Sequence, residues 1–298
     1  MAATTAGPRK RAARTTRRPD RRRDVIGAAM AVPALVLFLA FAIWPALRVF
    51  YLSLFEYSLT APAEWVGLDN FAFLLHSEKF HHVLLNTLFY VVGSYLPAVV
   101  LALALGLVLS SRMPGAGAVR LFYFAPVAMS WVVTSVIWHL VLQPHGMLNE
   151  VLGLDVNWLT SSASAKWALV IMSVWKETGF FLILFLAGLA TIPRDLYEAA
   201  FVDGCNAWQR LVHITLPMLK PITAICSVMA VIRGFQAFSA QYVMTGGGFS
   251  TEVINLYVYK TAFESARMGR ASAVAVLMFF ILLLLTLVQL RVFRRDDR

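Results

Sequence analysis

Six apolar runs dominate this sequence, and each is long enough to cross a lipid bilayer. They lie at about 25–50, 83–109, 119–142, 167–190, 222–243 and 271–290. A hydrocarbon core of ~30 Å needs about 20 apolar residues in helical form, and a backbone facing lipid must satisfy its own hydrogen bonds. The sequence therefore predicts an all-α membrane protein whose six transmembrane helices form one domain over 25–295. The composition agrees, since 59% of residues are hydrophobic and only 14% are charged.

The positive charges predict the orientation of the spans. Residues 1–24 contain nine Lys and Arg residues without apolar periodicity, which predicts a disordered tail. Basic residues directly before a hydrophobic segment typically set topology and contact anionic lipid headgroups, and they do not indicate nucleic-acid binding. With the N-terminus inside, the inner segments carry eighteen Lys and Arg residues and the outer loops five. Both termini, and the segment 194–221, are therefore expected in the cytoplasm.

The segment 194–221 separates the fourth and fifth runs and is too polar to span lipid. Asp195 and Glu198 have the spacing of a helix N-cap and its third helical residue, so a helix is predicted to begin at Leu196. Gly204 suits the left-handed conformation that closes such a helix.

A second short helix is predicted in the same segment. Asn206 and Gln209 repeat the capping spacing, so this helix is expected to begin at Ala207. Pro217 and Pro221 interrupt the chain before the fifth apolar run. The whole segment therefore has the pattern helix, glycine, helix.

Motifs for enzymatic chemistry are not evident in the sequence. No G-x-x-x-x-G-K-[ST] phosphate loop occurs, so the chain is not expected to bind ATP in that way. Glu78, His81 and His82 could chelate a metal, but adjacent histidines point to different faces of a helix, and a solvated cluster is the favoured interpretation. We expect no catalytic residues, no metal and no cofactor in this chain.

Ionisable residues within the apolar runs indicate a polar region inside the membrane. Lys176 and Glu177 lie in the fourth run, near Phe180, and Arg233 and Gln236 lie in the fifth. Such residues are costly in lipid, so they have a structural or functional reason. Either Glu177 neutralises a cation and fastens two helices together, or these residues line a cavity through which a hydrophilic solute passes. The two interpretations are compatible.

The segment 194–221 contains a pattern that resembles a known signature. Its fixed positions are Glu198, Ala199, Ala200, Asp203, Gly204, Ile214, Leu216 and Pro217. This pattern resembles the EAA motif of membrane subunits of binding-protein-dependent ABC importers. Stretches at 65–71, 186–193 and 245–259 resemble the carbohydrate-uptake branch, the maltose, lactose and glycerol-phosphate type permeases. Phe249 stands where that branch usually has proline.

The resemblance implies a fold, a function and partners. The fold would be that of type I ABC importer permeases, with six helices and a cytoplasmic coupling helix between helices four and five. A second permease subunit, usually a different chain in the sugar branch, would complete the pore. Two ABC ATPase subunits would bind ATP and Mg²⁺ and contact the EAA residues. An extracytoplasmic solute-binding protein would deliver a sugar, polyol or sugar phosphate, which would cross the cell membrane by alternating access.

The same resemblance suggests the substrate path. In maltose-type relatives the fourth and fifth spans contribute to the sugar cavity, so Lys176, Glu177, Phe180, Arg233 and Gln236 are the candidates for lining it. Two other classes remain open. A single-chain ion-coupled secondary transporter or channel would predict an inverted repeat, which is not evident. A membrane enzyme acting on lipid headgroups would need an acidic or histidine cluster at one membrane face.

Overall fold

A computed structural model describes residues 21–58, 61–110 and 115–295. Most of the arginine-rich tail lies outside these residues, so its disorder stays a prediction. The chain divides into two compact units, Met1–Arg48 and Val49–Arg298.

The first unit is helical throughout its described part. It comprises helix Arg21–Phe38, the π-helical turn Leu39–Ile43 and the start of helix Trp44–Leu52. The stretch Met30–Leu52 is long and apolar enough to cross a membrane, and its side chains from 30 to 48 are exposed. An apolar helix whose side chains are exposed on all sides is expected to face lipid or another protein.

The second unit contains the remaining helices and one β-hairpin. Its strands are Phe55–Ser58 and Ala61–Trp65, and its helical segments are Asp69–His76, Glu78–Tyr90, Val91–Tyr95, Leu96–Leu109, Ala116–Ala128, Trp131–Val141, Met147–Leu152, Ser162–Ala190, Arg194–Val202, Ala207–Arg210, Leu211–Thr215, Leu216–Met218, Lys220–Phe235, Ser239–Thr245, Ile254–Tyr259, Lys260–Glu264 and Met268–Arg295. Three continuous helices here are long and apolar enough to span, namely Glu78–Leu109, Ser162–Ala190 and Met268–Phe293.

Helix Ser162–Ala190 forms the centre of this unit. The side chains of Phe181, Leu182 and Phe185 on it are fully buried. Helix Leu96–Leu109 packs along it, and its Gly106 faces Leu182 and Phe185. Each of these large buried side chains makes many van der Waals contacts, which together stabilise the packing of this helix.

Two of the predicted spans are broken helices. The predicted third span consists of Ala116–Ala128 and Trp131–Val141, which meet at an angle of 115°. Ser130 begins the second half, because its side chain accepts a hydrogen bond from the backbone N–H of Val133 at 3.2 Å. A second bend, of 65°, lies just before the predicted fifth span and separates Ala207–Met218 from Lys220–Phe235. The described residues thus contain four long apolar helices, or up to six spans if each bent pair counts as one.

The predicted fifth span, 222–243, is not one helix. Helix Lys220–Phe235 covers its first part, and a separate helix, Ser239–Thr245, follows after a break at 236–238. Phe238 has an irregular backbone (φ −151°, ψ −59°) that cannot continue an α-helix. The carbonyl of Gln236 accepts a hydrogen bond from Asn255 at 3.2 Å, which satisfies one group freed by the break.

The hairpin corrects the prediction of a purely α-helical chain. Its strands pair antiparallel with Phe55 opposite Trp65, and the two rings meet edge to face at 5.0 Å. The side-chain amide of Asn70 donates to the carbonyls of Ser53 and Phe55 at 3.0 and 2.9 Å. Cross-strand aromatic pairs of this kind stabilise a short hairpin that its sequence alone would leave irregular.

The segment 194–221 has the predicted order of helix, glycine and helix, with one boundary different. The first helix begins at Arg194, and Pro193 precedes it without a side-chain cap, so the predicted capping by Asp195 is wrong. The fixed φ of Pro193 already sets the entry of the chain, and Asp195 lies in the first turn, where an acidic group favours the helix dipole. Gly204 is left-handed, with φ +75°, as predicted.

The second helix of the segment begins as the sequence predicts. The backbone N–H of Gln209 donates to the side chain of Asn206, and the backbone N–H of Asn206 donates to the side chain of Gln209, each at 2.8 Å. This capping box satisfies two amides at the start of helix Ala207–Arg210.

Candidate functional site

A cavity of about 250 Å³ lies within the second unit, and we call it the central cavity. Its walls come from the Glu78–Leu109 helix, from the break after Phe235 and from the start of helix Trp131–Val141. The lining residues are Tyr90, Tyr95, Trp131, Arg233, Gln236, Ala237, Phe238, Ser239, Ala240 and Gln241. Two of the five predicted path residues, Arg233 and Gln236, line it. The other three, Lys176, Glu177 and Phe180, lie outside the lining.

Arg233 and Glu177 form a bidentate ion pair behind the wall of this cavity. Arg233 Nε donates to Glu177 Oε2 at 2.9 Å, and Arg233 Nη2 donates to Glu177 Oε1 at 2.7 Å. The carboxylate is 1% exposed and the arginine side chain 31%. The guanidinium also lies over the ring of Phe180, 4.4 Å from its centroid. The pair fastens helix Lys220–Phe235 to helix Ser162–Ala190, while Arg233 still contributes to the cavity.

Lys176 holds the break between the two halves of the third span. Its Nζ donates to the carbonyls of Pro126 at 2.6 Å and Met129 at 2.8 Å, and it lies 5.2 Å from the ring centroid of Trp131. The last carbonyls of a helix have no partner within that helix. A buried ammonium satisfies two such carbonyls here, so Lys176 positions Trp131 at the cavity wall without lining it.

Gln241 is a cavity residue that the sequence did not single out. Its side chain is 1% exposed, and its buried amide interacts with the hydroxyl of Tyr90. Tyr90 also lines the cavity, and its hydroxyl shares a 2.6 Å hydrogen bond with Ser173. Gln241 is therefore a buried wall residue whose amide atoms are closed off from the cavity space. The sequence feature that could have identified Gln241 is its position five residues after Gln236 in the same apolar run.

An aromatic cluster continues outward from the central cavity. Phe238 stacks on Tyr242 with centroids 5.3 Å apart and planes 13° apart, and Tyr259 meets Phe238 edge on at 5.3 Å. Tyr242 is 43% exposed. The hydrogen bond to Tyr242 raises the pKa of Tyr259 above its ordinary value.

The segment 194–221 presents an apolar surface to its surroundings. Phe201, Val202 and Trp208 are 71%, 84% and 70% exposed. Large apolar side chains on an otherwise polar segment are typical of a protein interface. The hydroxyls of Tyr197 and Thr215 share a 2.9 Å hydrogen bond, which ties the first helix of the segment to its last turn. The segment is therefore a folded unit.

The predicted EAA residues occupy different environments within this unit. Glu198, Ala199 and Asp203 are exposed, whereas Ala200, on the same helix as the first two, is buried. The others follow Gly204 towards the fifth span, with Ile214 partly buried and both Leu216 and Pro217 exposed.

Comparisons with known proteins agree with this architecture. Residues 75–296 match the family described as "Binding-protein-dependent transport system inner membrane component". The trehalose/maltose transport system permease protein MalF of Thermococcus litoralis is 34% identical over 281 residues, covering 91% of this chain and 95% of that protein. The sulfoquinovosyl glycerol transport system permease protein SmoG of Agrobacterium fabrum is 32% identical over 300 residues, covering 97% and 96%.

A solved structure shows the same fold. A chain of a bacterial alginate ABC transporter, crystallised in complex with an alginate pentasaccharide-bound periplasmic protein, superposes with a TM-score of 0.83 at 27% identity and covers 94% of this chain and 97% of its own. The residues 75–296 that match the family include both broken spans, the central cavity and the segment 194–221. The chain therefore belongs to the family of binding-protein-dependent transport system inner membrane components, within its carbohydrate-uptake ABC permeases.

Proposed function

We propose that this chain forms one half of the pore of an ATP-driven importer for a sugar, a polyol or a sugar phosphate. The observation that carries the proposal is the central cavity, whose wall combines the polar Gln236 and Arg233 with three aromatic rings. A carboxamide can donate to and accept from sugar hydroxyls at once. The rings of Tyr90, Tyr95 and Trp131 supply apolar faces for the C–H side of a sugar ring. An aromatic pocket with a few convergent polar groups is the common form of a small-molecule site.

A second permease subunit, a homologue or a copy, would close the other side of this cavity. An extracytoplasmic solute-binding protein would release substrate on the outer side, and with the predicted orientation the aromatic cluster around Tyr242 would lie towards that side. The alginate transporter that this chain resembles was crystallised with such a periplasmic protein, which supports this partner.

The energy would enter through the segment 194–221. Its exposed Phe201, Val202 and Trp208 fit an interface with an ABC ATPase subunit, which would bind ATP and Mg²⁺. ATP must bind one conformation of the importer better than the other, and a rigid coupling element transmits that difference. The capping box at Asn206 and the Tyr197–Thr215 bond provide such rigidity. The segment and both termini would then be cytoplasmic.

The cavity is tested by Gln236→Leu, which keeps the bulk of an accessible lining side chain and removes its polar atoms. Uptake of the cognate sugar into vesicles, with the binding protein outside and ATP inside, is measured against sugar concentration. We expect about a tenfold loss of transport efficiency, since a lost pair of buried hydrogen bonds to the substrate costs about 1–3 kcal/mol. Gln143→Leu, in an exposed loop, is the matched control. Unchanged transport by Gln236→Leu would remove the cavity from the substrate path.

The coupling assignment is tested by Gly204→Asp. Gly204 has φ +75° and no neighbouring atom within 4 Å of an added Cβ, and aspartate tolerates this conformation, so the protein should still fold and insert. Gly115→Asp is the control, since Gly115 has φ +83° and equally open space. We expect Gly204→Asp, and likewise Glu198→Lys, to abolish uptake and the retention of the ATPase on purification, while Gly115→Asp does neither. Uptake that continues without ATP would instead support an ion-coupled secondary transporter.

A further inference from the structure

A second, larger cavity of about 1070 Å³ lies where the segment 194–221 meets the ends of three spans, and we call it the arginine cavity. Its walls include the end of helix Leu96–Leu109, the start of helix Ala116–Ala128 and the end of helix Ser162–Ala190. The lining residues are Leu107, Ser110, Arg120, Phe124, Leu186, Leu189, Ala190, Ile192, Arg194, Tyr197, Ala207, Arg210, Leu211 and Thr215. Three arginines from three different elements, Arg120, Arg194 and Arg210, therefore border one space.

The charges of this cavity are not balanced within the described chain. Arg120 Nη2 donates to the carbonyl of Leu109 at 2.8 Å, which leaves its positive charge in place. For Arg194 and Arg210, the described residues provide no ion pair and no side-chain hydrogen bond. None of the residues that line the cavity is acidic. The carboxylates of the same segment are therefore not part of its wall.

The position of three arginines around one cavity is not explained by membrane topology alone. A bias of Lys and Arg to one membrane side sets orientation wherever those residues stand in the short loops. Grouping three of them around one cavity adds mutual repulsion, which a bound anion removes. Arginine forms bidentate hydrogen bonds with phosphate oxygens through its planar fork of donors. The chemistry of the cavity is therefore that of a phosphate site.

The remaining wall indicates the size and character of the ligand. The cavity is far larger than one phosphate group, and Leu186, Leu189 and Leu211 give it an apolar side. It lies at the ends of the spans, which is the depth of lipid headgroups. We propose that the arginine cavity binds a phosphate-bearing anion, with Arg194 and Arg210 contacting the phosphate. The anion would come from a phospholipid headgroup or from free phosphate.

The test uses the complete purified transporter and native mass spectrometry. The transporter is titrated separately with dioleoyl phosphatidylglycerol, with dioleoyl phosphatidylcholine and with inorganic phosphate. We expect R194Q/R210Q to weaken the tightest anion binding about tenfold or more, because charge-assisted bonds to phosphate are lost. The matched control is R267Q/R291Q, which removes the same charge at two exposed arginines outside the cavity. R194K/R210K should restore part of the affinity, because it restores the charge without the fork.

The outcomes separate the sources and can overturn the proposal. Binding of phosphatidylglycerol that inorganic phosphate does not displace identifies a lipid headgroup. Displacement by inorganic phosphate identifies a free anion. The proposal fails if neither probe binds the wild-type transporter, if R194Q/R210Q binds both as the wild type does, or if R267Q/R291Q loses as much. Sugar uptake is not the readout, so the result is independent of the proposed transport function.

Discussion

The ion pair between Glu177 and Arg233 gives an asymmetric prediction, because its two members are buried to different degrees. Both oxygens of the Glu177 carboxylate accept from Arg233, and the carboxylate is 1% exposed. The arginine is 31% exposed, borders the central cavity and rests on the ring of Phe180. Removing the arginine therefore strands a buried charge, whereas removing the carboxylate leaves a cation with other favourable contacts.

The expected magnitudes follow from this difference. Arg233→Gln should cost about 3–5 kcal/mol, the usual range when one partner of a buried ion pair is removed. Glu177→Gln should cost about 1–2 kcal/mol, since Gln still accepts one hydrogen bond and Arg233 keeps its ring contact. The double variant should cost less than the sum of the two, because neither charge remains. A gap of about 2 kcal/mol between the single variants corresponds to roughly 4–8 °C in melting temperature.

The assay is thermal unfolding of the purified transporter, followed by size-exclusion measurement of the fraction that remains monodisperse. One heating rate must be used throughout, because membrane complexes unfold irreversibly. Arg267→Gln, at an exposed position outside this pair, is the control for charge loss and should leave the melting temperature unchanged. Equal shifts for Arg233→Gln and Glu177→Gln, or a double variant equal to their sum, would refute this explanation of the pair.

Three further substitutions can be tested in the same assay. Gly179→Ala should destabilise by about 1–3 kcal/mol, since an added Cβ would overlap the carbonyl of Tyr123. Gly117→Ala, with no atom within 4 Å of its Cβ, should be neutral or stabilising. Equal effects of these two substitutions would contradict the packing argument. Lys176→Met should cost about 1.5–3 kcal/mol because two charge-assisted bonds to helix-end carbonyls are lost, and an unchanged melting temperature would contradict this role of Lys176. Asn206→Ala should cost about 1 kcal/mol by removing the capping box, and it should also lower ATPase activity if the segment couples to that partner.

The apolar runs predicted where the chain is helical but not where two of the helices break. Hydrophobic length reports on burial in lipid and is insensitive to a bend between two apolar halves. At the third span the break depends on Ser130, which caps the second half, and on Lys176, which lies about 50 residues further along the chain. Such a contact exists only in the folded protein. Sequence periodicity therefore gave the span and missed the 115° bend.

The candidate site was predicted in part for a similar reason. Arg233 and Gln236 stood out because polar residues within an apolar run are costly. Tyr90 and Trp131 did not, since aromatic residues are ordinary in a membrane helix and only the fold brings them to the same cavity. Gln241 was overlooked because it lies near the end of the predicted span, where a polar residue could reach water. Burial to 1% exposure is a consequence of tertiary packing that the sequence does not show.

The segment 194–221 and the central cavity are connected by the two helices that flank the segment. Helix Ser162–Ala190 leads into the segment and helix Lys220–Phe235 leaves it, and Gly188 lets Leu219 and Ile222 pack closely where they meet. About 16 Å away, at a rise of ~1.5 Å per residue, the Glu177–Arg233 pair joins the same two helices again. Because the two helices are fastened at both places, we expect a displacement of the segment to move them together and so to reach the central cavity. We expect the bending to occur at the breaks, which are the 236–238 stretch and the junction that Lys176 holds.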